Sequence, residues 1–371
     1  MRDITRRSVI QGAGGAVLLA AAPMALAEPR AKLAPAAGPT NPFAACVSVA
    51  TIVSPDMDAS IRFYRDLMGY ELARTGRLAG DLPNAPGLGG AGRAYALIRP
   101  RENEVSGRGV LRILEAPAGA KANRPRPGST ILDAGLGAFE CITGDIDQSF
   151  DKLTAAGIET VSTPQFYHQD GVKPLPGAVA QWDTGDIEVR TFGAWGPAGE
   201  LVFSTVIITL AGKPAPAWDK PANNDRLSGA VLLTRDRWPC FAFYDAVFGL
   251  KPTKDQFLRQ NTVNASIGAP MDTYYHFGGL GQGAGFEWWE YRAPRPTPTP
   301  PFPTSLDRTG WAMITMVADD LAAVRGRTRK AGIPILAQGA LPTLAAERQD
   351  GFYVRGALGE LIEIIGRDAR G

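Results

Sequence analysis

Ser60–Leu72 reads SIRFYRDLMGYEL, and a related phrase, CFAFYDAVFGLKP, follows 180 positions later from Cys240 to Pro252. A second echo runs alongside. GDIDQSFDKLTAAGIETV from Gly144 matches VADDLAAVRGRTRKAGIPIL from Val317 in its acidic start, helical middle and Ala-Gly-Ile ending, with Ala156 and Ala331 175 residues apart. Two echoes at nearly one separation make the chain a tandem repeat, and a repeat decides the fold before any single element does.

Each half divides again. In the first, Ser48–Val53 reads as a short strand. Ile61, Phe63, Tyr64, Leu67 and Met68 then recur at helical spacing, with Asp58 or Ser60 as the cap and Gly69 as the residue that ends the helix. Strand-like text follows near Tyr70–Arg74, Ala94–Arg99 and Val110–Glu115. The unit is strand, helix, three strands, and the same order can be traced from Phe139, Ala230 and Met313. The expectation is an α+β chain of four βαβββ modules, paired in sequence order into an N-terminal domain (residues 42–210) and a C-terminal domain (residues 226–367). Residues 211–225, rich in Pro and Ala, form the linker between them.

Composition narrows the function. The chain has 371 residues, 45% hydrophobic and 20% charged, which is enough apolar side chain for sizeable cores. Net charge is +2 and no Lys/Arg run forms a phosphate-binding stripe, so a nucleic-acid partner has no electrostatic basis. At the N-terminus, twin arginines (Arg6, Arg7) precede the weakly apolar run GAGGAVLLAAAPMA and the small residues Ala25-Leu26-Ala27. Residues 1–27 read as a twin-arginine export signal, residues 28–41 as a flexible segment, and the mature protein as periplasmic. An uncleaved anchor is the alternative, weakened by Gly12, Gly14, Gly15 and Pro23 in a run already short for a bilayer. Cys46, Cys141 and Cys240 sit in apolar text that favours buried thiols over a disulfide.

The four-module order, with Ser60-Ile61-Arg62-Phe63-Tyr64…Gly69, Phe243-Tyr244…Gly249 and Gly359-Glu360-Leu361-Ile362-Glu363, resembles the vicinal oxygen chelate superfamily. Glyoxalases, bleomycin-resistance proteins, fosfomycin-resistance enzymes and extradiol dioxygenases belong to it. The resemblance implies paired modules forming cupped mixed sheets around a small-molecule cavity. In metal-dependent members, first strands contribute His or Gln and last strands contribute Glu, so that three or four donors converge on one ion.

Here the first-strand positions implied by that pattern fall near Ser48 or Val49, Gly137 or Ala138, Ser228 or Gly229, and Ala312 or Met313. None is a histidine or carboxylate. Last strands offer Glu115, Glu290 and Glu363, with Phe203 in the remaining place. A catalytic metal is therefore disfavoured, although a hard divalent ion on carboxylates and water stays conceivable.

Glu290 and Glu363 are the leading catalytic candidates. If they face each other across a C-terminal cavity, two close carboxylates can share a proton and act as base and acid. Pairing with Arg292 or Arg355 is the structural alternative. Glu115 is a candidate ligand-binding carboxylate, with pairing to Arg112 or Arg108 as its structural alternative. His276, between Tyr274-Tyr275 and a glycine-rich turn, is a candidate proton shuttle or a sheet-edge hydrogen-bonding residue, and His168 lies in a predicted loop. Tyr274, Tyr275 and Trp288 are candidate ligand-binding aromatics, Trp288 because it shares Glu290's parity along the strand.

Two readings follow from the sequence. One is a metal-free binding protein for a small aromatic or amphipathic molecule. The other is a lyase, isomerase or ring-cleaving enzyme using Glu290 and Glu363, with or without a divalent metal.

Overall fold

The computed structural model describes residues 47–79, 85–88, 92–100, 109–123, 134–172, 185–210, 213–214, 226–252, 255–258, 260–281, 286–292 and 303–367. The expected export signal, Cys46, Arg108, the expected 211–225 linker (apart from 213–214) and residues 282–285 of the glycine-rich turn after His276 lie outside these residues.

The predicted element order is present four times. The first module runs β1 (Val47–Ser54), α1 (Met57–Arg62) continuing into a π-helical turn over Phe63–Leu67, β2 (Glu71–Arg77), β3 (Ala94–Arg99) and β4 (Val110–Glu115), followed by a two-residue β5 (Lys121–Ala122). The second has β6 (Gly135–Ile142), α2 (Ile146–Ala155), β7 (Gln165–Val172), β8 (Gly185–Trp195) and β9 (Leu201–Leu210), with β10 (Lys213–Pro214) beyond it. In the third come β11 (Arg226–Thr234), α3 (Arg237–Phe248), β12 (Gln256–Leu258), α4 (Asn261–Ser266), β13 (Tyr274–Leu280) and β14 (Phe286–Arg292). The fourth is β15 (Arg308–Ala318), α5 (Leu321–Lys330), β16 (Ala337–Gln338), β17 (Gly351–Arg355) and β18 (Leu361–Gly366).

One device starts every module helix. Asp56, Asp145, Asp236 and Asp320 each turn a side-chain oxygen onto a backbone N–H of the first turn, satisfying a donor that the helix leaves open. The cap of the first helix is thus Asp56, in place of the expected Asp58 or Ser60. At the other end, Gly69 (φ 90°) and Gly249 (φ 70°) take the left-handed conformation that a side chain disfavours. The repeated FY…G phrase is therefore a helix followed by its exit turn.

The expected pairing of consecutive modules needs correction. One sheet has the order β16-β17-β18-β15-β1-β4-β3-β2 and joins the first and fourth modules; the other, β12-β13-β14-β11-β6-β9-β8-β7, joins the third and second. We call them the terminal and central sheets. Each is closed in the middle by two antiparallel first strands, β1 with β15 and β11 with β6, flanked by the parallel last strands β4, β18, β14 and β9. The repeat reveals how many modules there are, but a free first-strand edge accepts any sibling that reaches it. Neither residues 42–210 nor residues 226–367 make a sheet of their own.

The two sheets share a core. Helix-side residues of both, including Ile52, Ile314, Phe139, Leu232 and Trp288, lie in one continuous buried cluster with Phe63, Tyr64, Leu153, Tyr244 and Val324 from the helices. The opposite, inner faces carry separate clusters, one around Val53, Leu97, Met313 and Tyr353, and another around Phe203, Val231, Tyr275 and Phe277. Cys141 and Cys240 are buried free thiols in the shared core. No described helix is long and apolar enough to cross a membrane.

The repeated motifs also meet across the sheets. Tyr64 of the first FY phrase donates to Glu200 (2.9 Å), and Tyr244 of the second donates to Glu360 (2.7 Å); these are the glutamates of the two Gly-Glu-Leu turns. Beside each carboxylate stands a glycine, Gly196 or Gly356, where a Cβ would collide with it. Burial, then the neighbouring carboxylate, pushes both tyrosine hydroxyls well above their ordinary range.

Burial likewise raises the Glu360 carboxyl, from an ordinary 4.5, against the lowering effect of Tyr244 and the Leu358 N–H. The folded chain thus holds this proton more tightly than the unfolded chain. Its contribution to stability is complete below pH 4.5 and is lost as pH rises through the elevated folded value. Glu360→Gln is expected to flatten that part of the stability profile, as read by denaturant melts of both proteins between pH 4 and 8. Parallel profiles would contradict it.

Candidate functional site

Strand register defines four equivalent inward positions. Counting five residues back from each capping aspartate gives Thr51, Glu140, Val231 and Thr315 on the first strands. The parallel neighbours opposite them on the last strands are Arg112, Phe203, Glu287 and Glu363. Neighbours two residues away fill the inner-face clusters, as alternation requires.

This places the sequence candidates. Phe203 and Glu363 stand where expected. Glu115 and Glu290 are each three residues too late, so strand alternation turns them to the other face, and Arg112 and Glu287 hold the inward positions instead. Glu290 is buried under α3, accepting from Arg237 (2.7 Å) and from Arg292 (2.6 Å). Trp288 shares its parity, as argued from the sequence, but both face the helix: the Trp288 ring meets Phe241 edge-on at 4.9 Å. His276 pairs with Glu290 in register and lies on that same side, 3.0 Å from Asp255, which also binds Arg237 at 3.2 Å. Tyr274 is exposed and packs on Phe257. Glu115 accepts from the Ala94 N–H and faces Arg77 at 3.9 Å. His168 lies 3.7 Å from Glu188 on β7 and β8, within a strand where a loop was expected. Among the aromatic and acidic candidates, only Tyr275 and Glu363 face inward, and they do so on different sheets. Glu290 and Glu363 therefore do not face each other across one cavity.

The two inner faces differ in kind. On the terminal sheet, the segment around Leu341–Thr343 covers the inward positions, and Thr51, Arg112, Thr315 and Glu363 are all fully buried. Arg112 donates through two nitrogens to Glu363 Oε2 (3.0 Å each), and Tyr353 and the Leu341 N–H fill Oε1.

The central sheet instead presents a partly open aromatic face. Trp289 stacks nearly parallel on Tyr275 (centroids 5.4 Å apart, 7°) and lies parallel to Phe203 from the far side of the cup (6.2 Å, 8°). The indole N–H of Trp289 donates to Glu287 (3.1 Å). Tyr167, Glu140, Glu287 and Trp289 are each half-buried, unlike the fully buried residues at the inward positions of the terminal sheet. The Tyr167 hydroxyl is pushed well up by burial, then by Glu140, Glu287 and Tyr275, which places these four groups in one electrostatic neighbourhood. The buried Tyr275 hydroxyl has no hydrogen-bond partner among the described residues, and burial raises it too.

Residues 47–172 match the family model of the Glyoxalase/Bleomycin resistance protein/Dioxygenase superfamily. That stretch, β1 to β7, is similar to the superfamily. Among solved structures, glyoxalase I from Zea mays is similar over 86% of this chain and 92% of its own, at 13% identity and TM-score 0.52. A variant of the same enzyme gives 14% identity and TM-score 0.51, covering 86% of this chain and 93% of its own. A Mn(II)-bound glyoxalase from Novosphingobium aromaticivorans aligns over 86% of this chain and 81% of its own, at 14% identity and TM-score 0.28. No curated protein matches the chain. The two Zea mays likenesses establish the glyoxalase-type fold, not a substrate.

Nor do the inward residues offer a ligand set for a divalent ion. Among the described residues, no group of three or more His, Cys, Asp or Glu side chains is arranged to hold a metal ion. Phe203 and Val231 cannot donate to a metal on the central sheet, and a guanidinium already occupies the terminal one.

The aromatic face escaped the sequence reading because glutamates were picked by type. Registering each strand against the aspartate cap would have selected Glu140, Glu287 and, two residues on, Trp289.

Proposed function

We propose that this is an exported, metal-free binding protein of glyoxalase-type fold, which holds a small aromatic or amphipathic molecule on the inner face of its central sheet. The supporting observation is the parallel Phe203, Trp289 and Tyr275 set beside half-buried Glu287 and Tyr167. Flat apolar rings bordered by a few polar groups are what a planar ligand needs. Export rests on Arg6-Arg7 and Ala25–Ala27.

If the same face also turns its ligand over, as a lyase, isomerase or ring-cleaving enzyme would, the proton-handling groups are Glu287, Glu140 and Tyr167 rather than Glu290 and Glu363. The test is a panel of aromatic acids, amines and neutral phenols, titrated into metal-free protein and followed by calorimetry and tryptophan fluorescence. Saturable binding that chelators leave unchanged and that weakens on Glu287→Gln is expected. Binding that appears only after adding a divalent metal would overturn the metal-free reading.

A further inference from the structure

The same four inward positions have opposite electrostatic outcomes on the two sheets. On the central sheet they hold Glu140, Phe203, Val231 and Glu287, with no cationic side chain among them. The terminal sheet holds an acid and its own cation. Arg112 donates from Nε to the Pro342 carbonyl (3.0 Å), from one terminal nitrogen to Thr51 Oγ1 (3.4 Å), and from both to Glu363 Oε2. Thr315 donates to that same carboxylate oxygen at 2.6 Å. A planar cation therefore sits where the side chains of two first strands and two last strands converge, inside a shell of oxygen atoms.

We propose that the terminal inner face is a cation site permanently filled by the chain's own guanidinium, which closes this cup to an outside ligand and, on the function proposed above, leaves binding to the central sheet. The guanidinium matches the site in shape as well as charge, since its planar fork engages the carboxylate while its third nitrogen reaches the covering segment. That segment is fastened further by Arg74, which donates to the Thr343 and Leu344 carbonyls (3.2 Å each), and by Tyr95, which donates to Glu347 (2.8 Å). Truncating Arg112 leaves Glu363 buried without its cation, in a cavity of guanidinium size lined by hydroxyl and carbonyl oxygens.

The test is chemical rescue. Thermal melts of Arg112→Ala are recorded in about 10 mM methylguanidinium chloride and in NaCl of equal ionic strength, beside wild type and Arg112→Ala/Glu363→Gln. In NaCl, Arg112→Ala is expected to melt about 5–10 °C below wild type. Methylguanidinium restores several degrees of that loss, moves wild type by less than a degree, and leaves the double variant unmoved. Should Arg112→Ala fail to fold in NaCl, the yield of folded protein on refolding with either salt gives the same comparison. Equal responses of the single and double variants, or no rescue of the single, would overturn the proposal.

Discussion

Replacing Glu363 by leucine is expected to cost about 3–5 kcal/mol of stability, among the largest losses open to a single substitution in this chain. The loss is more than that of one ion pair. Glu363 accepts from Arg112, Thr315, Tyr353 and the Leu341 N–H, all of them buried, so its removal strands a charged guanidinium and several neutral donors together. Burial, then the Glu363 carboxylate, already holds the Tyr353 hydroxyl well above its ordinary range.

Glu290→Leu provides the contrast. It is buried and paired too, but Arg237 keeps Asp255 at 3.2 Å and the Arg292 side chain is half exposed, so the expected cost is about 1–2 kcal/mol. Arg112→Met/Glu363→Leu, which removes both charges, should regain most of the Glu363→Leu loss. Denaturant melts of the four proteins check the ranking. A Glu363→Leu variant no less stable than Glu290→Leu would show that the buried network contributes little.

The pattern of what was legible in the sequence has a physical basis. Local rules were readable to within a few residues: Gly69 ends its helix as expected, while the cap is Asp56, two residues before the nearer of the expected Asp58 and Ser60. The two FY phrases stood out as a repeat, and their reason appears only in three dimensions, where each tyrosine binds the glutamate of a Gly-Glu-Leu turn. Module pairing was not readable. Four siblings offer similar first-strand edges, and nothing local to β1 specifies β15 over β6. Nor was residue type a safe guide to facing. In FEWWEYR, Glu287 and Glu290 differ by three positions and so point to opposite faces, one toward the open cup and one under a helix. Arg112 was visible as a partner for Glu115, yet its true partner is 251 residues away.

The adjacent tryptophans of β14 separate folding from binding most sharply. Trp288 is fully buried against Phe241, beneath Arg237, with its indole N–H on the Gly279 carbonyl (3.2 Å). Trp288→Ala removes that volume from the shared core and is expected to cost about 3–5 kcal/mol of stability. Trp289 points the other way, half-buried, stacked on Tyr275 and parallel to Phe203 on the inner face of the central sheet. Its replacement by alanine should spare most of the stability while weakening aromatic ligands at least about 30-fold, the loss of a central anchor worth about 2 kcal/mol. Two measurements on each variant, a denaturant melt and a calorimetric titration with the tightest-binding member of the aromatic panel, make the comparison. If Trp289→Ala leaves affinity intact, the inner face of the central sheet is not where the ligand sits. If Trp288→Ala also abolishes binding without loss of stability, the functional side of the sheet is the helix side, and the network of Glu290, Arg237, Asp255 and His276 becomes the place to look.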